Sequence, residues 1–192
     1  MSKVVVVVGH ARRGTYGEAL GEAYKRGAQA AGHDVALFVL SHMSFDPILH
    51  EGFSVEQPLE PDLAAARAAI GTADHLVLVF PLWFGDLPAL LKGFIERLFQ
   101  PGFAIERTKT LAGFRPLLTG KSARIIVTMG MPAFVYRWYF RAHAVRMLKR
   151  NILGFVGIHP VRTTLLGRVE AVSPDQRRRW LDDAEAFGRR AA

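Results

Sequence analysis

The stretch Pro81–Phe94 reads PLWFGDLPALLKGF, and it directly follows a buried-strand pattern, His75–Phe80. A helix is predicted to begin at Pro88, because proline suits the first position of a helix. In open α/β sheets, ligands bind at loops that follow the carboxyl ends of parallel strands. This loop is short and aromatic, and Gly85 allows its backbone to approach something flat. The stretch therefore predicts a site for a planar cofactor rather than for a phosphate.

Strand and helix patterns alternate along the rest of the chain. Continuous apolar runs, such as the β-branched run at Lys3–Val8, are typical of strands buried on both faces. The five predicted strands are Lys3–Val8, Asp34–Leu40, His75–Phe80, Ala123–Thr128 and Phe155–Thr163. The predicted helices are Gly14–Ala31, Leu63–Ile70, Pro88–Phe99, Val135–Lys149 and a last one that opens at Ser173. Long loops are predicted at 43–61 and 101–120.

This alternation predicts a three-layer α/β sandwich around a parallel sheet. Right-handed crossovers leave few topologies, and strand order 2-1-3-4-5 is the one that we expect. The order of the sheet reverses between the first and third strands. The loops after Val8 and Phe80 should therefore line one crevice. The whole chain, 1–192, is expected to form one domain.

Composition excludes several classes of protein. The chain has 192 residues, 50% of them hydrophobic and 22% charged, which is typical of a globular protein. It contains no cysteine, so disulfides, thiolate metal sites and thiol catalysis are excluded. The apolar run Val4–Val8 is too short to span a membrane, and a cytoplasmic location is expected. The net charge of +8 is interpreted as a solvated basic surface, and no nucleic-acid partner is expected.

The first loop, Gly9–Gly17, joins a strand to the N-terminus of a helix, where backbone N–H groups favour an anion. Thr15 can cap the helix and bind a phosphate, and His10 and Arg13 can neutralise its charge. An ordinary turn with a capping threonine explains the same residues equally well. The loop is neither a G-x-G-x-x-G motif nor a P-loop, which argues against a dinucleotide Rossmann site and against ATP hydrolysis.

The loop after the fourth strand, Thr128–Pro132, should lie beside the Pro81–Phe94 loop in this sheet order. Its backbone N–H groups can point at the edge of a flat ring, although a plain strand-to-helix turn is the alternative. Five aromatic side chains follow within seven residues: Phe134, Tyr136, Trp138, Tyr139 and Phe140. They exceed one helical face, so some should project outward as a substrate wall or a subunit interface.

The side chains offer little reactive chemistry of their own. The seven histidines show no metal-ligand spacing, so no metal is expected, and no serine lies in a G-x-S-x-G elbow. His143 can assist proton movement, although a structural role is the simpler interpretation. A bound cofactor would therefore have to supply the chemistry.

One long motif carries a resemblance to a known family. The run Phe80–Arg97 matches the pattern F-P-L-W-[FW]-G-x-x-P-A-[IL]-L-K-G-[FW]-[IF]-[ED]-R, and Gly102–Ala104 matches G-[FW]-A. The chain thereby resembles the NAD(P)H:quinone oxidoreductase branch of the flavodoxin-like fold. That branch includes the drug-activity modulator reductases and the potassium-efflux ancillary reductases.

The resemblance implies a flavin site and assigns residues to it. The implied phosphate contacts are His10, Thr15, Tyr16 and Gly17, to which Arg13 is added from its position in the same loop. The implied contacts along the isoalloxazine ring are Pro81, Leu82, Trp83 and Phe84. The implied contacts to the N1 and O2 edge of the ring are Thr128, Met129 and Gly130. Tyr136 and His143 correspond to a tyrosine and a histidine that steady the reduced ring.

The implied activity is a two-electron ping-pong transfer from NAD(P)H through the flavin to a quinone or similar acceptor. FAD is expected ahead of FMN, and the aromatic helix is expected to face a second subunit in a homodimer. No membrane insertion is expected. Two alternatives remain open: an electron-transfer module like a flavodoxin, and a regulatory partner of a membrane transporter. Nothing in the sequence distinguishes NADH from NADPH.

Overall fold

The computed structural model describes residues 1–109 and 113–191. Its main sheet has five strands, and every neighbouring pair is parallel. In spatial order they are β2 (Asp34–Val39), β1 (Lys3–Val8), β3 (His75–Pro81), β6 (Ser122–Thr128) and β7 (Val161–Leu166). The predicted order 2-1-3-4-5 is therefore confirmed, since β6 and β7 are the fourth and fifth strands of this sheet.

Helices cover both faces of the sheet. They are α1 (Tyr16–Ala30), α2 (Pro61–Thr72), α3 (Ala89–Leu98), α4 (Ala133–Trp138), α5 (His143–Met147) and α6 (Pro174–Arg190). The valines of β1 alternate between two cores, as the pleat of a strand requires. Val4, Val6 and Val8 pack with α1 and α6, whereas Val5 and Val7 pack with α2 and α3. The predicted three-layer sandwich is confirmed. In the described ranges, no helix is both long and apolar enough to cross a bilayer.

A buried arginine fixes the loop at 43–61 on α3. Arg97 is fully buried, and its guanidinium donates to the carbonyl oxygens of Asp46 and Pro58 and to the carboxylate of Glu60. Desolvation raises the pKa of Glu60, but hydrogen bonds from the Asp46 backbone and from Arg97 leave it below its usual value. The loop is irregular, as predicted, and it is attached to the core at several points.

The segment predicted as a loop at 101–120 contains a hairpin that the sequence analysis missed. Strands β4 (Ile105–Arg107) and β5 (Phe114–Pro116) pair antiparallel. Each is only three residues long, which is too short for a periodic pattern to be visible. Residues 110–112 of the predicted loop lie outside the described ranges.

The helix predicted at Val135–Lys149 is wrong, because the chain breaks between α4 and α5. Arg141 and Ala142 have φ angles of 51° and 45°, in the left-handed region, which ends one helix before the next begins. A π-helical segment, Leu148–Leu153, continues directly from α5. The break turns the second helix so that His143 approaches the loop after β3.

The strand predicted at Phe155–Thr163 is also wrong in its bounds, since β7 begins only at Val161. Val156 and Ile158 are buried in the core although they precede the strand. Their apolar character reflects this packing and not membership of the sheet. Leu118 N–H donates to the Val156 carbonyl at 3.0 Å, which attaches the segment to the residues after β5.

Candidate active site

Three loops begin side by side at the carboxyl edge of the sheet. Val8 of β1 pairs with Val79 of β3, and Pro81 of β3 pairs with Thr128 of β6. Gly9 N–H donates to the Val79 carbonyl at 2.8 Å, which continues the ladder into the first loop. The structure therefore brings the predicted loops 9–17, 81–84 and 128–130 to one edge.

The loop after β3 is a tight turn at Trp83–Asp86, called the ring loop below. Trp83 N–H donates to the Asp86 carbonyl at 3.0 Å, and Asp86 N–H donates back at 2.9 Å. The central residues Phe84 and Gly85 have φ angles of 48° and 83°, as in a type I′ turn. A phenylalanine in the left-handed region costs about 1–2 kcal/mol, and such strain is concentrated at functional sites. The turn leaves Phe84 fully exposed and Trp83 43% exposed.

His10 from the first loop packs against the ring loop. The imidazole and the Trp83 ring are 5.1 Å apart, edge to face at 78°. Arg12 N–H donates to His10 Nδ1 at 2.9 Å, which places the proton of the neutral ring on Nε2. Burial, assisted by the Arg12 charge, lowers the pKa of His10. His10 packs edge to face on Trp83, and its predicted role in neutralising a phosphate stays a prediction. The Arg13 side chain lies at the same loop, and its Nε donates to the Ser41 carbonyl at 3.2 Å.

The N-terminus of α1 offers backbone donors, together with an acid that the sequence analysis missed. Thr15 caps the helix, accepting the Glu18 N–H at its Oγ1 at 3.3 Å. The N–H groups of Tyr16 and Gly17 have no intrahelical acceptor, as at any helix start. The Glu18 carboxylate accepts the Gly14 N–H at 2.8 Å, and its other oxygen lies 3.3 Å from His42 Nε2. These donors fit a phosphate, but the Glu18 carboxylate opposes it.

The sequence contained a signal for this arrangement. Thr15 and Glu18 form the T-x-x-E pattern of a capping box, in which the acid returns to the start of the helix.

Tyr16 points away from the first loop, toward α6. Its hydroxyl donates to the Arg177 carbonyl at 2.8 Å, and burial raises its pKa to about 12. The Arg177 guanidinium lies 5.8 Å from the centre of the tyrosine ring. The Tyr16 side chain therefore holds α1 against α6, and the predicted cofactor contact is left to its backbone. Gly17 is buried within the same turn.

Of the three site residues predicted at the end of β6, only Gly130 is open to solvent. The Thr128 carbonyl accepts the Leu82 N–H at 2.8 Å, and Met129 N–H donates to the Leu166 carbonyl at 2.9 Å. Both residues are buried. Gly130 is exposed, and a Cβ added to it would meet no atom within 4 Å. Its backbone is the part of this loop that a ligand can reach.

Tyr136 and His143 lie together behind the ring loop, with ring centres 6.4 Å apart. Tyr136 is fully buried, and its hydroxyl accepts the Val145 N–H at 3.4 Å. Burial raises the pKa of Tyr136. His143 is exposed, and its Nδ1 lies 2.8 Å from the Phe140 carbonyl, so Nδ1 carries the proton. Its Nε2 faces Gly85, and a Cβ added to Gly85 would lie 3.4 Å from that nitrogen.

Cavity size does not identify this edge. A cavity of about 660 Å³ lies beside α2 and Phe103, and one of about 630 Å³ lies between α3 and the loop residues 47–53. The crevice between the three loops is an open surface, with Phe84 and Gly130 exposed. Among the residues described, no group of His, Asp and Glu is placed to hold a metal ion.

Comparison with known proteins agrees with this geometry. A family model described as flavodoxin-like fold matches residues 2–188. NAD(P)H dehydrogenase [quinone] 1 from Cavia porcellus is 32% identical over 125 residues, which are 54% of this chain and 45% of that protein. The chain thus spans less than half the length of that curated relative.

Two further proteins match over more of their length. The FMN-dependent NADH:quinone oxidoreductase of Nitratidesulfovibrio vulgaris strain DP4 is 29% identical over 146 residues, covering 70% of this chain and 67% of that protein. The solved structure of the NAD(P)H:quinone oxidoreductase from Methanothermobacter marburgensis superposes with a TM-score of 0.81 at 26% identity, over 98% of this chain and 96% of that one. The match over residues 2–188, the sheet order and the ring loop agree, and the chain belongs to the flavodoxin-like fold family.

Proposed function

We propose that this protein is a flavin-dependent oxidoreductase that transfers two electrons from NAD(P)H to a quinone or similar acceptor. The observation that carries the proposal is the ring loop, whose strained turn exposes aromatic surface between the donors of α1 and Gly130. A bound flavin would supply the redox chemistry, taking a hydride from the nicotinamide and passing two electrons on. The names of the two NAD(P)H- and NADH-dependent quinone oxidoreductases described above support the same reaction class.

The proposed contacts follow from the exposed groups of the three loops. The N–H groups of Tyr16 and Gly17, with Thr15, would hold a phosphate, and Arg13 would offset its charge. Pro81–Phe84 would lie along the ring, with Trp83 held in place by His10. Gly130 would donate to the edge of the ring. The buried residues Thr128 and Met129 would support that loop from below.

His143 and Tyr136 are proposed to act at one remove from the ring. Because His143 Nδ1 is held by the Phe140 carbonyl, Nε2 is the atom that can accept a proton beside Gly85. Tyr136 is a positioning residue, since its buried hydroxyl accepts the N–H of Val145 in α5, the helix that carries His143. This division gives separate roles to the two residues that the resemblance pairs as steadying the reduced ring.

The cofactor is proposed as a flavin bound through its FMN portion, which FAD and FMN share. The expected preference for FAD has no support in the relatives described, since the one whose name specifies a flavin specifies FMN. Mass spectrometry of the flavin released on denaturation identifies the resident form.

A homodimer is proposed through the aromatic helix α4. Phe134, Trp138 and Tyr139 are 67%, 79% and 80% exposed, which is unusual for three neighbouring large side chains. Light scattering after gel filtration should give twice the chain mass, and Trp138→Glu should shift it toward the monomer. A wild-type protein that is monomeric at micromolar concentration would remove the dimer. A cytoplasmic location is proposed as well, and cell fractionation tests it.

The activity is tested by flavin binding followed by turnover. We expect the purified protein to retain a flavin and to oxidise NADH or NADPH when a water-soluble quinone is present. Trp83→Ala and Phe84→Ala should weaken flavin binding, whereas Phe114→Ala, an exposed aromatic residue on the hairpin, should not. A protein without affinity for FMN or FAD would refute the proposal. Flavin binding without NAD(P)H oxidation would leave only an electron-carrier role.

A further inference from the structure

An unusually long part of this chain carries no acidic residue. No Asp or Glu occurs between Glu106 and Glu170, although arginines and lysines recur throughout that stretch. Such a stretch creates a positive potential that its own side chains cannot offset. It includes α4, α5 and the π-helical segment behind the ring loop.

A cavity of about 260 Å³ lies within this acid-free region, and we call it the α5 cleft. It is lined by His143, Arg146, Met147, Arg150 and Asn151. His143 also faces Gly85, so the cleft begins next to the ring loop. At about 1.5 Å of rise per residue, Arg146 and Arg150 lie roughly 5 and 10 Å farther along the helix axis.

The two arginines of the α5 cleft are exposed and unpaired. Across residues 1–109 and 113–191, neither Arg146 nor Arg150 forms an ion pair or a side-chain hydrogen bond. Elsewhere the surface arginines Arg115 and Arg189 pair with nearby glutamates. Like charges about one helical turn apart destabilise a helix, so folding alone does not favour this arrangement. The two guanidinium groups of the cleft are therefore available to bind an anion.

We propose that the α5 cleft binds the 2′-phosphate of NADPH, so that the protein prefers NADPH to NADH. This inference rests on the proposed function, which brings a pyridine nucleotide to the ring loop. A phosphate monoester carries close to two negative charges near neutral pH and offers three acceptor oxygens. Two guanidinium groups match that charge and geometry, and the Asn151 amide adds a donor. The pyrophosphate also carries two charges, one on each phosphorus, but both nucleotides share it, so binding there would not distinguish NADPH from NADH.

Turnover kinetics distinguish a site for the 2′-phosphate from a site for the pyrophosphate. We expect Arg146→Gln/Arg150→Gln to raise the KM for NADPH at least tenfold and to leave the KM for NADH within twofold of wild type. Arg179→Gln, an exposed arginine on α6, is the matched control and should change neither. An equal rise for both nucleotides would assign the cleft to the pyrophosphate and overturn the proposal. No change for either nucleotide would overturn it as well.

Direct binding keeps this test independent of the redox reaction. Titration calorimetry with 2′,5′-ADP should show saturable binding to the wild-type protein, loss of that binding in the double variant, and no effect of 5′-AMP at the same concentration. If the wild-type protein does not bind 2′,5′-ADP and binds NADPH no more tightly than NADH, the 2′-phosphate site is refuted. The proposed function is unaffected by that result. A flavin-loaded protein that oxidises neither NADH nor NADPH refutes the proposed function instead, whatever 2′,5′-ADP does.

Discussion

Mild acid should destabilise this protein through His75, the first residue of β3. The ring is 1% exposed, and its Nδ1 lies 2.8 Å from Ser122 Oγ. Its Nε2 is buried without a hydrogen-bond partner among the residues described. Burial, followed by the charges of Arg124, Arg162 and His33, lowers the pKa of His75 from 6.5 to about 4. Protonation therefore favours the unfolded chain, in which the ring keeps its ordinary pKa.

The size of the effect follows from the two pKa values. A folded-state pKa below the unfolded one gives stability that is complete above the unfolded value and is lost as the pH falls toward the folded value. Between pH 8 and pH 5 the loss amounts to about 2 kcal/mol, and the limit at still lower pH is about 3 kcal/mol. Urea denaturation at both pH values, monitored by tryptophan fluorescence, measures it.

A variant comparison isolates His75 from the other titrating groups. His75→Asn should be less stable at pH 8, yet its stability should fall by about 2 kcal/mol less than that of wild type between pH 8 and pH 5. His159→Asn is the matched control, because His159 is exposed, and it should retain the full pH dependence. If His75→Asn and wild type lost the same stability on acidification, the buried neutral ring would not be the cause.

Four further substitutions probe the candidate site and its support. Glu18→Gln removes the carboxylate that opposes a phosphate at α1 and should tighten FMN binding about threefold without changing riboflavin binding; equal changes in both fluorescence titrations would contradict this reasoning. Gly85→Ala, at φ 83° and facing His143, should lower the unfolding free energy by about 1–2 kcal/mol. Gly130→Ala, with open space around it, should leave apo-protein stability unchanged in the same thermal melts. Arg97→Met should lower the unfolding free energy by at least ~2 kcal/mol and make the loop at 43–61 susceptible to limited proteolysis, because buried acceptors lose their donor. A protease-resistant loop would show that other contacts hold it.

The sheet could be predicted because its strands carry their own signal. Lys3–Val8 and His75–Phe80 are continuous apolar runs, and the structure extends the second by only one residue, to Pro81. Burial on both faces demands such runs, so the pattern and the environment coincide. Once the five strands alternate with helices, handedness rules leave little freedom in their order.

The region after β6 could not be predicted in the same way. Arg141 and Ala142 adopt left-handed φ angles, and neither residue type announces such a break as glycine or proline would. Val156 and Ile158 are apolar because they pack in the core, yet an apolar run looks the same whether it forms a strand or a buried connection. In both places the structure was decided by packing against residues distant in sequence and not by the local pattern.

Some features of the candidate site could likewise be predicted from the sequence, and others could not. The ring loop could be located from its motif, since a tight turn after a buried strand is a local feature. The direction of Tyr16 could not, because it depends on the carbonyl of Arg177, which is distant in sequence. The lowered pKa of His10 likewise depends on burial in the folded chain, where the ring packs beside Trp83. Motifs therefore locate the loops, whereas charge and direction at the site come from tertiary packing.

The charges on the two sides of the ring loop also differ in sign, so the two ends of the crevice differ in their attraction for an anion. Glu18 places a carboxylate at the start of α1, where a phosphate would meet both donors and repulsion. In the α5 cleft, neither Arg146 nor Arg150 forms an ion pair with any of the residues described. A dianionic group entering the crevice therefore gains more on the α5 side than on the α1 side. A nucleotide that arrives with its 2′-phosphate in the α5 cleft would leave the α1 side to the phosphate of the flavin. Exchanging the signs, with Glu18→Lys and Arg146→Glu, should reverse that preference and lower the rate with NADPH more than the rate with NADH.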